Sequence, residues 1–390
     1  MIPRTYWICA AVLLAACKPS VEPTVTAEPG EPLPGLTEAE RGRFLFGKGV
    51  FERLVTPEEG LGPLYNAVRC SECHEVPATG GAGFRVRVVK ATKYENGSCD
   101  LLVNEGGDNI QQRATAALAA LGITREHIPA DANGTAHVTA PALFGVGLVE
   151  AIPEATVLAN ADPDDADGDG ISGRAARTAD GRLGRFGRKA EQPTALEFID
   201  TALRFELGLT TPMNPHEEMP DGVELPAGVD PLPEPEIDAH GIDLLTDYVH
   251  FLAPPARELA HGAVKDSIDE GSLTFVEIGC AKCHTPTMHT GDNEVAALDR
   301  KTAHLYSDML LHDMGPELAD VCGPDAAPAE YLTTRLWGLR YRGQYMHDGR
   351  TARIEDAIEA HGGESAASRD AWRALTADRR AMLLRFLRSL

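Results

Sequence analysis

The stretches Cys70-Ser71-Glu72-Cys73-His74 and Cys280-Ala281-Lys282-Cys283-His284 share one form, Cys-x-x-Cys-His, and lie in opposite halves of the 390-residue chain. Residues three and four positions apart lie on one face of a helical turn, so two thiols can reach the vinyl groups of one porphyrin and the histidine can reach its iron. A thioredoxin-like thiol pair does not require the histidine, and motifs this far apart suit a single zinc site poorly. We therefore predict two covalently attached c-type haems. The predicted thioether residues are Cys70, Cys73, Cys280 and Cys283, and the predicted proximal iron ligands are His74 and His284.

Residues 1–16 have the features of an export signal peptide. Arg4 precedes a short apolar run that ends in Leu-Ala-Ala-Cys17, and this run is too short for a permanent membrane span. Leu-Ala-Ala-Cys resembles the lipobox of bacterial lipoproteins, which implies a lipid on Cys17; ordinary cleavage with an unmodified cysteine is the alternative. We expect a periplasmic protein that touches a membrane only through this lipid, with the outer membrane favoured over the inner.

The composition is strongly acidic, with 36 lysines and arginines against 59 aspartates and glutamates and a net charge of −23 at pH 7. Such a surface repels nucleic acid and anionic lipid, and it attracts basic proteins. We therefore expect no nucleic-acid partner and a basic redox protein, such as a small cytochrome or cupredoxin, as electron donor or acceptor. The alternative is that the charge serves solubility only.

The order of helix, haem motif, connecting segments and closing helix occurs twice along the chain. Residues 17–36 are rich in Pro, Glu and Thr and are predicted to form a flexible tether. Thr37 and Glu40 fit a capping box at the start of the first helix. Apolar spacing over residues 237–252 and 372–390 predicts the two closing helices.

This repetition predicts the domain organisation. We expect a mainly α fold with two cytochrome-c-like domains, at residues 37–258 and 262–390. The first would carry a loop-rich insertion at about 84–235, in which the alternating pattern of residues 84–103 indicates a short strand or hairpin.

An acidic stretch inside the insertion suggests a metal site. Asp165, Asp167, Asp169 and Gly170 match the opening of a calcium loop, where alternate oxygens converge on a hard cation. The twelfth position is Ala176 instead of the usual glutamate, so a ligand from elsewhere would have to complete the site. The alternative is a solvated acidic turn.

Two of the eight cysteines have no predicted role in export, lipidation or haem attachment. These are Cys99 and Cys322. Two such cysteines can pair in an oxidising compartment, but sequence alone does not decide whether they come near each other.

Eight ordered segments outside the haem motifs carry a family resemblance. They are GVGLVEAIPE (145–154), DPDDADGDGISGR (162–174), GRFGRKAE (184–191), LYSDMLLHDMGPELAD (305–320), LWGLR (336–340), YMHDGR (345–350), IEDAIEAHGGE (354–364) and FLRSL (386–390). They resemble the di-haem oxidoreductase family, whose members are often labelled thiol oxidoreductases. That family is similar in turn to bacterial di-haem cytochrome c peroxidases and to MauG, which oxidises a protein substrate. The resemblance covers about residues 40–390 and implies an all-helical pair of cytochrome c domains with a haem in each.

The sixth iron ligands decide between an electron carrier and an enzyme, because an open or labile position can bind peroxide. In the peroxidase group, a segment like residues 354–360 precedes the distal ligand of the second haem, and this resemblance places His361 in that slot. The rivals for this position are Met346, Met314 and His312.

No sixth ligand stands out for the first haem. His127 and His137 are candidates but fit surface histidines equally well, and an open site is the simplest interpretation. Glu150, the lone carboxylate of the apolar stretch 140–153, is then the candidate general acid–base, with a structural pairing to an arginine as the alternative. Trp337 is a candidate for the route between the haems, where the related peroxidases place a tryptophan.

These features together predict an exported di-haem c-type oxidoreductase of the peroxidase or MauG type. The haem on His74 would react with peroxide or a similar oxidant, and the haem on His284 and His361 would supply electrons. One alternative is a non-enzymatic electron carrier with two six-coordinate haems. Another is an accessory protein in metal uptake that only reduces iron for a partner.

Overall fold

The computed structural model describes residues 25–390. The predicted signal peptide, Cys17 and the first part of the predicted tether lie outside the described residues. The α-helices of the described range are α1 Glu38–Glu52, α2 Ala116–Ala119, α3 Val146–Glu150, α4 Glu154–Leu158, α5 Ala195–Ala202, α6 Ala239–Phe251, α7 Gly262–Glu277, α8 Ile354–Glu359, α9 Ala366–Ala374 and α10 Ala377–Leu387. A π-helical turn, Leu203–Leu207, follows α5 directly.

Two pairs of helices cross in the same way. Helix α1 packs against α6, and α7 packs against α10. A Cβ added at Gly47 would overlap the carbonyl oxygen of Leu244, and a Cβ added at Gly271 would overlap that of Met382. Each crossing therefore needs a glycine, which lets two backbones approach closely. In both pairs a Cys-x-x-Cys-His motif follows the first helix, as the repeated order in the sequence predicts.

Aromatic side chains fill both crossings. In the first pair, Phe44 and Phe51 lie on either side of Tyr248, with ring centroids 5.1 and 4.9 Å away. In the second, Phe275 meets Phe386 edge-on at 5.4 Å. All these rings are buried, and burying a phenylalanine contributes about 1.5–3 kcal/mol to stability. Losing one of these rings would therefore loosen the helix that precedes a haem motif.

The capping box predicted at the start of α1 is confirmed. The backbone N–H of Glu40 donates to the Thr37 hydroxyl at 3.3 Å, and the backbone N–H of Thr37 donates to the Glu40 carboxylate at 2.7 Å. Two N–H groups that α1 could not satisfy internally are thus paired.

The predicted mainly α fold is wrong, because the described chain is 32% helical and 15% strand. The longest strand, β2, is antiparallel to three others and forms a four-stranded sheet with β3, β4 and β6. The strands are β1 Leu64–Tyr65, β2 Gly83–Glu95, β3 Ser98–Asp100, β4 Asn109–Ile110, β5 Arg113–Ala114, β6 Gly134–Ala140, β7 Met288–His289, β8 Thr302–Ala303, β9 Leu311–Asp313 and β10 Glu330–Leu332. The hairpin predicted over residues 84–103 is one part of this sheet, and β6 closes it from a distance in sequence that local periodicity cannot show.

The described end of the predicted tether is attached to the first helix pair. Leu33 is fully buried, and its backbone N–H donates to the Phe251 carbonyl at 2.7 Å. The backbone N–H of Ala27 donates to Pro254 in the same way at 3.1 Å. From Val25 onward, this segment therefore belongs to the core and not to a free linker.

The structure pairs Cys99 with Cys322 in a disulfide. Their Cα atoms lie 5.8 Å apart, although 223 positions separate them in sequence. The bond ties β3, in the first half of the chain, to a loop that follows the second haem motif. No helix within residues 25–390 has the length and apolar character needed to cross a bilayer.

Candidate haem site

A single cavity of about 660 Å³ reaches both Cys-x-x-Cys-His motifs. Its wall includes Cys70, Cys73 and His74 from one motif and Cys280, Cys283 and His284 from the other. The wall is mostly apolar with a few converging polar groups, which is typical of cofactor sites. The structure therefore brings the two predicted haem-binding motifs, far apart in sequence, to one connected space.

Each motif is a single tight turn that points its cysteines and histidine the same way. The backbone N–H of His74 donates to the Cys70 carbonyl at 3.1 Å, and that of His284 donates to Cys280 at 2.9 Å. Burial raises the pKa of Cys70 and Cys280 to about 12. Such thiols are not poised as the thiolates that disulfide oxidoreductases use, which disfavours a redox thiol pair.

The two motif histidines have the hydrogen bonds of metal ligands. Nδ1 of His74 donates to the carbonyl of Gly81 at 3.2 Å, and Nδ1 of His284 donates to that of Tyr306 at 3.0 Å. A carbonyl only accepts, so the proton sits on Nδ1 and the lone pair of Nε2 is free to bind iron. Burial lowers the pKa of both imidazoles, that of His284 to about 4, and this keeps them neutral as a metal ligand requires.

His361 has the same arrangement on the cavity wall. Its Nδ1 donates to the carbonyl of Ala357, one turn back near the end of α8, at 2.7 Å. Its Nε2 is therefore free as well. His361 is close enough to His284 for its charge to lower the pKa of that residue, after the larger effect of burial. The structure thus brings together the two histidines predicted as axial ligands of the second haem.

The three rivals of His361 also line the cavity, but they differ in what they can offer. His312 has both ring nitrogens engaged, at 2.7 Å from the Asp308 carboxylate and at 2.8 Å from that of Glu364. It therefore has no free nitrogen for iron. Met314 and Met346 offer thioether sulfurs, and that of Met314 accepts a weak hydrogen bond of 4.0 Å from Ser365.

Glu206 is a partly buried carboxylate beside the first motif that sequence analysis did not identify. It lies in the π-helical turn and on the cavity wall, and its charge acts on both Cys70 and Cys73. Its Oε1 accepts a hydrogen bond of 2.9 Å from Asn109, and Asn66 also lies near the carboxylate, but the buried Oε2 has no partner in good hydrogen-bond geometry among residues 25–390. Burial raises the pKa of Glu206. π-Helical turns are frequent at functional sites, so this orphaned oxygen points to a bound partner.

Glu150, the predicted acid–base, lies elsewhere. It does not belong to the described cavity wall. Its Oε2 accepts hydrogen bonds from the backbone N–H of Ala195 at 2.7 Å and from His250 Nε2 at 3.0 Å. Burial alone raises the pKa of Glu150, but its bonds to His250 leave that pKa below its ordinary value. This geometry favours a structural link between α3, α5 and α6, in which His250 bonds to Glu150 directly and the charge of Arg185 adds to the effect, in line with the arginine pairing that was the alternative.

Two partly buried arginines on the cavity wall test whether the space fits haem. Neither Arg335 nor Arg342 has a carboxylate partner within the described residues; Arg342 donates to the Arg335 carbonyl at 2.8 Å, while its buried Nε makes no hydrogen bond there. Burial lowers the pKa of both to about 10. Uncompensated buried cations are costly, and an anionic ligand would offset that cost. Haem carries two propionates, so the cavity suits haem in its charge as well as in its thiol and imidazole groups.

The predicted calcium residues do not all meet. Carboxylate oxygens of Asp165 and Asp167 lie within 4.8 Å of each other and of Asp162, which the prediction did not include. Asp169 instead forms an ion pair of 2.7 Å with Lys282, inside the second haem motif. The acidic loop thus contacts the second motif through Asp169, while the other three carboxylates form the group that could hold a cation.

The remaining sequence candidates lie off the described cavity wall. His127 pairs with Asp221 at 2.8 Å and exposes 73% of its side chain, and His137 is exposed on β6. Trp337 is buried against Gly145, where a Cβ would overlap its ring. None of these three is among the residues of the described chain that line the cavity.

Comparison with known proteins defines the class to which this fold and cavity belong. The family model described as "Di-haem oxidoreductase, putative peroxidase" matches residues 122–390. The chain is therefore a member of the di-haem oxidoreductase family, as its sequence segments predict, and the family implies two haems. No curated protein matches the chain.

Three solved structures are similar to this chain at low sequence identity. The hydrazine synthase of Kuenenia stuttgartiensis has a TM-score of 0.41 at 14% identity, with 100% of both chains covered. A MauG-like protein associated with microbial copper homeostasis has 0.39 at 15% identity, covering 94% of this chain and 93% of its own. The Y463M variant of the di-haem peroxidase BthA from Burkholderia thailandensis has 0.33 at 15% identity, covering 93% and 88%. These TM-scores are low, so the likenesses carry no functional conclusion.

Proposed function

We propose that the protein is an exported oxidoreductase that holds two haems covalently, one reactive and one for electron transfer. One observation carries this proposal: the two motifs face different groups across the same cavity. His361 offers a free imidazole nitrogen near His284, whereas the partly buried carboxylate of Glu206 lies beside Cys70 and Cys73. Bound haem would supply the redox chemistry at both places.

The second motif has the groups of an electron-transfer centre. His284 and His361 each donate Nδ1–H to a backbone carbonyl and keep the Nε2 lone pair for a metal, so both would ligate the iron of the second haem. Two imidazole ligands leave no position for an exogenous molecule. The cations of Arg335 and Arg342 on the wall of the shared cavity would hold haem propionates.

The first motif has the groups of a reactive centre. His74 would bind its iron from one side, and no second histidine and no methionine from residues 25–250 lines the cavity. Glu206 is then placed to hold a proton of a bound peroxide and to return it, with Asn109 orienting its carboxylate. A raised pKa brings Glu206 nearer to the operating pH, where proton transfer in both directions is efficient.

Peroxide titration of the ferric protein tests the proposal. We expect the optical spectrum of one haem per chain to change on adding hydrogen peroxide, while the other stays six-coordinate.

The alternative is a carrier without enzyme activity, favoured by Met314 and Met346, whose thioethers line the cavity and could block the first haem. Two haem spectra that peroxide and cyanide leave unchanged would support the carrier and contradict the enzyme.

The proposed location rests on the Leu-Ala-Ala-Cys17 segment, and the proposed partner rests on the excess of acidic residues. Lipid on Cys17 would attach the protein to a membrane facing the periplasm, and a Cys17→Ser variant should then move to the soluble fraction. A basic redox protein would dock on the acidic surface, so its electron-transfer rate should fall as salt increases. Equal rates at low and high salt would contradict electrostatic docking.

Calcium remains a proposal for the acidic loop, now at Asp162, Asp165 and Asp167. A cation there would hold the loop that places Asp169 on Lys282, and would so support the second motif. Elemental analysis of the purified protein checks this directly. Calcium removed by a chelator should loosen the Asp169–Lys282 contact, and a protein isolated without bound calcium would contradict the site.

A further inference from the structure

Three side chains form a hydrogen-bonded cluster on the cavity wall, which we call the Tyr331 cluster: Tyr331, Asp320 and His347. The Tyr331 hydroxyl lies 2.5 Å from Asp320 Oδ1. The other oxygen of Asp320 accepts a hydrogen bond of 2.6 Å from His347 Nε2. The rings of Tyr331 and His347 stack with centroids 4.7 Å apart. Asp320 thus connects a phenol to an imidazole within the space that both haem motifs share.

The cluster is largely shielded from water and lies next to a cation. Asp320 exposes 14% of its side chain and His347 exposes 7%. Lys189, only 2% exposed, holds its amine 3.5 Å from the centre of the Tyr331 ring. A cation over the ring opposes a tyrosine radical cation by direct repulsion, but it does not oppose a neutral radical. Electron loss from this phenol therefore requires that its proton leave in the same step.

Asp320 is suited to receive that proton. The Tyr331 hydroxyl has two acceptors within reach, the Leu318 carbonyl at 2.7 Å and the Asp320 carboxylate. Only the carboxylate is a base, and it is held in place by His347, by the backbone N–H of Val321 and by the Lys189 amine 3.9 Å away. Burial alone raises the pKa of Asp320, but hydrogen bonds from His347 and Tyr331 leave that pKa below its ordinary value, so the group is ionised and can act as a base.

We propose that Tyr331 is a redox-active tyrosine that stores one oxidising equivalent generated in the cavity. In the oxidising step the phenol O–H bond breaks and the proton goes to Asp320, while bound haem, once oxidised by peroxide, would accept the electron. In the return step an electron from the basic redox donor and the same proton restore the phenol and the Asp320 carboxylate. His347 stays hydrogen-bonded to Asp320 throughout and orients it. This inference rests on the proposed peroxide reaction.

Electron paramagnetic resonance of the rapidly frozen holoprotein after mixing with hydrogen peroxide tests the inference. We expect a tyrosyl radical signal that narrows when the protein contains ring-deuterated tyrosine. Tyr331→Phe should lose the signal and retain its haem content and ferric spectrum, since the change removes only a hydroxyl. Asp320→Asn should also lose it, because an amide does not take up the phenolic proton.

Tyr94→Phe is the matched control, because Tyr94 lies on β2 and does not line the described cavity. It should keep the signal. An unchanged signal in Tyr331→Phe, or haem spectra that respond to peroxide without any tyrosyl radical, would overturn the inference and leave the peroxide reaction standing.

A one-electron oxidant that does not depend on the haems, hexachloroiridate(IV), separates the two proposals. If peroxide leaves the haems unchanged, the proposed function fails. Oxidation of Tyr331 ahead of Tyr94 by hexachloroiridate(IV), lost in Asp320→Asn, would still support the Tyr331 cluster as a redox site. Equal oxidation of the two tyrosines would overturn it.

Discussion

The two halves of the molecule build their haem motifs alike and complete them differently. In each half a helix crosses its partner at a glycine, Gly47 or Gly271, and an aromatic ring near the end of that helix lies close to the motif histidine. Across the cavity, the second motif meets the imidazole of His361, whereas the first has the carboxylate of Glu206 beside it. Identical motifs can therefore have different neighbouring groups, because those groups come from segments without repeated sequence.

The largest expected effect comes from removing the distal imidazole of the second motif. His361→Ala should convert the second haem from low-spin to high-spin and let it bind cyanide, because Nε2 of His361 is the free imidazole nitrogen near His284. Optical and magnetic resonance spectra of the ferric protein measure this.

Met314→Leu and Met346→Leu are the matched controls for this change. Both keep the volume of a cavity-lining side chain and remove only a thioether. They should keep the low-spin spectrum of the second haem. A low-spin signal lost in either methionine variant and kept in His361→Ala would assign the ligand to that methionine.

The next largest effect is expected at the first motif. Glu206→Gln should slow the peroxide reaction by about 10²–10⁴-fold with normal haem content, because the amide can still bond to Asn109 but cannot carry the proton. Glu150→Gln is the comparison variant. It should leave the rate near that of the wild type, since Glu150 lies off the described cavity wall. The reverse ranking of the two variants would return the acid–base role to Glu150.

A smaller effect is expected from pH. Burial raises the pKa of Glu206 above its ordinary value, so the carboxylate form that accepts a proton appears only as pH rises through this raised pKa. The rate of peroxide reaction should therefore increase by up to about tenfold per pH unit below that pKa and level off above it. Glu206→Gln should remove this limb of the profile. Stopped-flow rates across a pH series give the answer, and a wild-type profile that falls over the same range would refute the assignment.

The smallest effect on the haems is expected from the disulfide that joins the two halves. The double variant Cys99→Ala/Cys322→Ala should lower the free energy of unfolding by about 2–5 kcal/mol, because the bond closes a long loop in the unfolded chain. Both ferric haem spectra should stay unchanged, since neither cysteine lines the cavity in the described residues. Denaturant titration of the oxidised protein and the variant measures the loss, and equal midpoints would show that the link does not stabilise the fold.

Local sequence patterns predict those features of the fold that depend on residues close to each other in sequence. The Cys-x-x-Cys-His spacing, the Thr37 capping box and the closing helix at residues 237–252 involve contacts within a few turns, and the structure contains them. The helix predicted over residues 372–390 is instead the end of α9 and the separate helix α10, which begins after Thr376. The sequence predicts only part of the four-stranded sheet, because residues of β2 pair with residues of β6 that lie more than forty positions later in the chain. Only one hairpin of that sheet is visible as a local alternation.

The candidate site depends on contacts that no local pattern records. Glu206 looks like an ordinary charged residue of an amphipathic segment, and only the folded chain shows that its Oε2 is buried beside Cys70 and Cys73. The pairing of Cys99 with Cys322 likewise needs a three-dimensional distance. Family resemblance predicts His361 as a ligand of the second haem, because residues 354–360 resemble the segment that precedes the distal ligand in related proteins. That resemblance is a local sequence pattern and can be recognised without a structure.

Low-temperature electron paramagnetic resonance of the ferric protein, with and without cyanide, tests the inequality of the two haems most directly. We predict one high-spin and one low-spin haem per chain, with cyanide converting only the high-spin signal, because His361 faces the second motif and Glu206 the first. Two low-spin haems that cyanide does not alter, or two high-spin haems, would contradict the unequal distal sides on which the proposed function depends.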